Sequence, residues 1–115
     1  MGVCIYHNPR CSKSRQALQL LREKGVEPEI IEYLKTPPDK KTLKQLLKLL
    51  KMEPRDMIRK KEKEYKELSL ADPNLSADEL ITAMIEHPKL MERPVVVSGD
   101  KAALGRPPEH VLDVL

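Results

Sequence analysis

Tyr6-His7-Asn8-Pro9-Arg10-Cys11-Ser12-Lys13-Ser14-Arg15 decides how this chain is read. The string closes a short apolar run, Val3 to His7, whose β-branched residues predict a strand. It opens Ser12 to Lys24, where Ala17, Leu18, Leu20 and Leu21 predict a helix ended by Gly25. Cys11 therefore stands at a helix N-terminus, where unpaired N–H groups and the positive end of the macrodipole favour a thiolate. His7, Arg10, Lys13 and Arg15 add cationic neighbours. Ser14 and Arg15 follow at i+3 and i+4, so Ser14 can donate to the sulfur and Arg15 can screen it. Structural cysteines favour apolar surroundings; a polar, proline-containing turn is the setting of a reactive one.

Working outward, Pro28 to Leu34 reads as a second strand, and strand–helix–strand at this spacing is a βαβ unit with parallel strands. A helical stretch follows. Thr36-Pro37-Pro38-Asp39 resembles a capping box with Pro at the first helical position, and Leu43, Leu46, Leu47 and Leu50 form one apolar stripe. Residues 54–75 hold a shorter helical patch around Met57-Ile58 and a polar loop through Asp72-Pro73-Asn74. Ser76 and Glu79 frame a second capping box, starting a helix with Leu80, Ile81, Met84 and Ile85 that stops at Pro88. Pro94 to Ser98 and Lys101 to Leu104 pair across Gly99-Asp100, a two-residue turn that favours type II′. Pro107-Pro108 opens a last helix with Val111, Leu112 and Leu115. The order βαβ, helical insertion at about 36–90, ββα is that of an α/β, thioredoxin-like fold with a four-stranded mixed sheet, one domain over residues 1–115.

Composition narrows the function. The chain has 115 residues with three Tyr and no Phe or Trp, so the core must be built from Leu, Ile, Val and Met. Net charge is +3 with acids and bases interspersed, and neither a basic cluster nor stacking aromatics mark a nucleic-acid surface. No stretch approaches the roughly 20 apolar residues of a membrane span. Gly2 lacks the Ser or Thr that myristoylation wants where Tyr6 stands. Two cysteines make no disulfide framework, which points to a reducing, cytoplasmic setting; monomer is the default state.

Cys11 and Ser14 form Cys-x-x-Ser, so a hydroxyl replaces the second thiol of a dithiol motif. Disulfide chemistry must then recruit an outside thiol, from glutathione or a partner protein. Cys4, between Val3 and Ile5, reads as core packing and lies too far along the strand to bridge Cys11. Cys4, His7 and Cys11 lack a fourth zinc ligand, because His87 and His110 each stand alone, so no metal is expected. His7 reads equally as a turn residue or as a group tuning Cys11. In the expected sheet, the start of strand three and the end of strand four return to the edge where strand one ends. Arg93 and Arg106 thereby approach the Cys11 loop, beside a helix terminus that favours anions. Arg59 is not placed by this argument, and a lone arginine is ordinarily surface charge.

These residues resemble the glutathione/glutaredoxin-coupled arsenate reductases over essentially the whole chain. The likeness lies in His-Asn-Pro-x-Cys-x-x-Ser-Arg (7–15), Leu34-x-x-Pro-Pro, Arg59, Tyr65-x-x-Leu-x-Leu, His87-Pro88, Arg93-Pro94 and Gly105-Arg106-Pro107. By resemblance, Cys11 is the nucleophile that forms a thioarsenate adduct, and His7, Ser14 and Arg15 favour its thiolate. Arg59, Arg93 and Arg106 match oxyanion-binding arginines, and Arg93-Pro94 is a cis bond. Glutathione is then a co-substrate, with no tightly bound cofactor, and glutaredoxin the resolving partner. The likeness is to short members that lack a C-terminal extension, with Ser12-Lys13 where the best-known members have Gly-Thr. A related group of this fold regulates RNA polymerase through Cys-x-x-Cys, from which Ser14 departs. A glutathione-dependent reductase of another substrate is the remaining alternative.

Overall fold

Four short strands carry the architecture: β1 (Val3–Tyr6), β2 (Glu29–Ile31), β3 (Val95–Ser98) and β4 (Lys101–Leu104), in the sheet order β2-β1-β3-β4. The structure, a computed structural model, describes residues 2–115. β1 pairs parallel with β2, and antiparallel with β3 through Tyr6↔Val95 and Ile5↔Val96. The crossover between β1 and β2 is α1 (Ser12–Glu23), whose end at Lys24 hands over to Gly25 with φ +78°. Gly99, at φ +61°, opens the β3–β4 turn. Positive φ at the first turn residue and not at Asp100 is the type II′ pattern.

Alternation along the strands chooses the core. Ile5 and Val96 share one face with Ala17, Leu18 and Leu21 of α1 and with Val111 and Val114. Full burial of each large aliphatic contributes about 1.5–3 kcal/mol. The last segment differs from the expected helix. Pro108–Val114 is a 3₁₀ helix, and its period of three puts Pro108, Val111 and Val114 inside while Leu115 is exposed. Cys4 is also corrected: it is half-buried, outside the core cluster, because it alternates with Ile5 and pairs with Glu29 in register.

The chain divides into two compact units. One runs to Thr36 and resumes at Arg93–Leu115; the other is Pro37–Glu92. The second has its own apolar interior, made by Leu43, Leu46 and Leu47 of α2 (Lys40–Leu50), Met57 of α3 (Pro54–Met57), and Leu80, Ile81 and Met84 of α5 (Ala77–Glu86). Asp39, not a residue before the prolines, caps α2 by accepting from Thr42 N at 2.7 Å, so Pro37 and Pro38 precede the helix. Ser76 and Glu79 close the reciprocal capping box at α5. Between them, α4 (Lys63–Glu67) and a loop held by Arg55, which donates to the Leu70 and Asp72 carbonyls, complete the unit. β2 is shorter than the run from 28 to 34, since Lys35 N and Thr36 N both turn back to Glu32 O.

Candidate active site

Residues 7–11 form a loop closed by its own polar groups. Asn8 organises it: its carbonyl accepts from Cys11 N (3.0 Å), its side-chain oxygen accepts from Arg10 N (3.0 Å), and its own N–H donates to Ser14 Oγ (3.1 Å). His7 Nδ1 lies 2.6 Å from the same Ser14 oxygen, and Ser14 is wholly buried. Arg15 reaches back from α1 to donate to Pro9 O at 2.9 Å. The next backbone bond, Arg15 N to Cys11 O at 3.0 Å, starts the helix with Cys11 as its N-cap residue.

The Cys11 sulfur is half-buried at that helix start. Burial by itself pushes the thiol up. The Ser14 backbone N–H, the Arg93 guanidinium through both contact and charge, and the Lys13 backbone N–H together outweigh burial, and the net shift is downward. Cys4 moves the opposite way, raised by burial and then by Glu29. The two thiols are thus shifted in opposite directions by their environments.

Arg93 is where strand geometry leads. The pair Tyr6↔Val95 puts Arg93-Pro94 alongside the outgoing chain at 7–8, and Gly105 N donates to Pro94 O at 2.8 Å to extend the β3–β4 pairing. Arg93-Pro94 and Arg106-Pro107 are both cis, the second an addition to what the sequence suggested. Burial opposes charge on Arg93, but the Cys11 sulfur and the Tyr33 phenol more than offset it. Its Nε is buried with no hydrogen-bond partner among the described residues. Arg106 Nε donates to Arg93 O at 3.0 Å, so the second arginine braces the backbone of the first.

Several sequence-derived roles change. Ser14 acts on the sulfur through its backbone N–H; its hydroxyl is engaged by His7 and Asn8. Arg15 is exposed and donates to Pro9 O, which closes the loop, and it is not among the groups that shift the Cys11 thiol. His7 bonds Ser14, not Cys11, and its backbone N–H donates to Ile31 O at 2.8 Å. Burial lowers the His7 pKa; Glu32 opposes this, Arg22 and Arg15 add to it, and the net shift is downward. Arg59 belongs to the inserted unit. Its N–H donates to Leu90 O at 2.7 Å next to the Ile58↔Met91 bridge, and its Nε stands 3.9 Å from Glu62. Tyr33, only 1% exposed, was not singled out from sequence; a lone tyrosine after a strand carries no motif. Among the described residues no three His, Cys, Asp or Glu side chains gather as metal ligands, and no helix is long and apolar enough to cross a membrane.

A βαβ–ββα sheet with one thiol shifted downward at the first helix and a guanidinium beside it defines a thioredoxin-like α/β protein. The ArsC family pattern matches residues 6–114, and this chain belongs to that family. The uncharacterized protein YfgD of Escherichia coli K12 is 60% identical over 98% of this chain and 96% of its own. An arsenate reductase of Neisseria meningitidis serogroup A is 51% identical over 98% and 97%. Among solved structures, an arsenate reductase from Vibrio cholerae superposes with a TM-score of 0.97 at 54% identity, covering 100% of this chain and 98% of that one.

Proposed function

We propose that this chain is an arsenate reductase that draws its electrons from glutathione and glutaredoxin. The observation that carries the reading is the Cys11–Arg93 pair: a thiol shifted toward its thiolate, beside a guanidinium whose buried Nε–H has no acceptor among the described residues. A tetrahedral oxyanion supplies such an acceptor, and the positive charge that favours the thiolate also draws the anion to it. Arg106, braced on the Arg93 carbonyl, is the second arginine of the anion site; for Arg59 the assignment rests on the family resemblance alone.

The Cys11 thiolate attacks arsenic(V) and displaces a hydroxide, which leaves protonated as water, giving an S–As bond. Glutathione thiolate then attacks the Cys11 sulfur. The S–As electron pair passes to arsenic, which departs as arsenite, arsenic(III), while the two sulfurs are oxidised to a Cys11–glutathione disulfide. Glutaredoxin takes the glutathione sulfur and releases the Cys11 thiolate. Ser14 in place of a second cysteine is what makes the outside thiols necessary. Such chemistry belongs in a reducing compartment, the cytoplasm, and works in a monomer. The test is NADPH consumption in a coupled assay with glutathione, glutathione reductase and glutaredoxin. Arsenate-dependent turnover that vanishes in Cys11→Ser supports the reading. A protein with a reactive Cys11 and no arsenate-dependent turnover overturns the substrate and leaves the thiol chemistry for another oxyanion or disulfide.

A further inference from the structure

Tyr33 is among the most buried side chains in the protein, yet it follows the last residue of β2 by two positions, where the chain is already turning. Sheet register explains its place. Tyr6 pairs with Ile31 on one side and Val95 on the other, so Tyr33 and Arg93, each two residues beyond its strand, leave the sheet at the end where the Cys11 loop begins. Regular strands flanking a third would stand about 9.5 Å apart there. Their long side chains span that distance: Tyr33 is buried at 1% exposure, and both its phenol and the Cys11 sulfur come near enough to the Arg93 guanidinium to favour its charge. The guanidinium is therefore held from two directions.

We propose that Tyr33 is a positioning residue whose phenol holds the Arg93 guanidinium on the Cys11 sulfur. A free arginine side chain samples many rotamers, and confining it costs side-chain entropy. A buried aromatic ring is rigid, and its oxygen offers the N–H fork an acceptor at a fixed point. With one side of the fork drawn toward Tyr33, the remainder is directed at the sulfur and at whatever anion the sulfur attacks. The inference rests on Cys11 being the nucleophile and needs no particular substrate.

The experiment measures Cys11 alkylation by iodoacetamide against pH in wild type, Tyr33→Phe, Arg93→Ala and the double variant, with thermal melts alongside. Tyr33→Phe keeps the ring and removes the oxygen. Its Cys11 profile should move up by about half a unit to one unit, a threefold to tenfold slower reaction well below the midpoint. In the Arg93→Ala background the same change should do nothing further. An unmoved profile in Tyr33→Phe, or an equal drop with and without Arg93, overturns the proposal. A measurement that leaves Tyr33 intact is the NMR signal of its Cζ carbon, which should shift in Arg93→Ala; an unchanged signal overturns it too. If arsenate turnover is absent while Tyr33 and Arg93 show this coupling, it is the substrate that is wrong, not the positioning.

Discussion

Gly105→Ala tests whether the close approach of β4 to β3 sets the site. A Cβ built on Gly105 would stand 2.7 Å from Pro94 Cγ, 3.2 Å from Pro94 Cδ and 3.0 Å from Val111 Cγ1. Neither neighbour yields easily: Pro94 is a fixed ring, fully buried, and Val111 is 0% exposed in the core. The Gly105 N–H bond to Pro94 O (2.8 Å) also prevents the strands from simply parting. Overpacking of this kind costs about 1–3 kcal/mol. Since Gly105 does not have positive φ, alanine recovers roughly 0.4–1 kcal/mol by restricting the unfolded chain. A net loss of about 1–2 kcal/mol remains, a fall in Tm of about 3–12 °C at this chain length. Pro94 is bonded to Arg93, so relief of the clash displaces the guanidinium as well, and Cys11 alkylation near neutral pH should slow. Gly2→Ala, whose methyl meets nothing within 4 Å, is the control and should change neither reading. Gly105→Ala with wild-type Tm and wild-type Cys11 reactivity would refute the packing argument.

Three further outcomes follow from the site. Differential alkylation under native conditions should give Cys11 a midpoint below the ~8.5 of free cysteine and Cys4 one above it; faster labelling of Cys4 at neutral pH would reverse the assignment. His7 has a folded pKa below its unfolded ~6.5, so the unfolded state binds more protons between those values, and stability is full above ~6.5 and lost as pH falls toward the folded value. His7→Asn keeps an acceptor for Ser14 and should flatten that acid limb in urea melts; an equally steep acid loss in the variant would show that another group causes it. Arg93→Lys and Arg106→Lys should each remain short of wild-type kcat/KM with arsenate by about 1.5–3 kcal/mol, roughly 10-fold to 150-fold, because an ammonium lacks the planar fork; full activity in both would remove the guanidinium geometry from the mechanism.

What could be read in the sequence is what local chemistry specifies. The Cys11 turn, Gly25, the Ser76 capping box and the Gly99 turn each have a residue whose type decides the backbone, and each stands where the pattern put it. The parallel β1–β2 pair and the antiparallel β3 followed from element order, and with them the approach of Arg93 to Cys11. Three things were not legible. The terminal segment carries apolar residues that suit either helical period, and only packing of Val111 and Val114 on the sheet selects three residues per turn. Ser14 was visible as a neighbour of Cys11, but its hydroxyl has competing partners in His7 and Asn8 that no spacing rule ranks. Tyr33 meets Arg93 only through the combined register of two strand pairs, a long-range fact that one sequence does not display.

The side-chain hydrogen bonds of the Cys11 loop join partners seven positions apart or fewer, as His7 with Ser14 and Pro9 with Arg15. The guanidinium that lowers the thiol comes instead from beyond the whole inserted unit. The sulfur therefore answers to two distant parts of the chain at once: the helix start, whose Ser14 and Lys13 N–H groups lower it locally, and the far end of the sheet, which delivers Arg93. A change that loosens β3 should raise the thiol even where the cysteine turn itself is untouched.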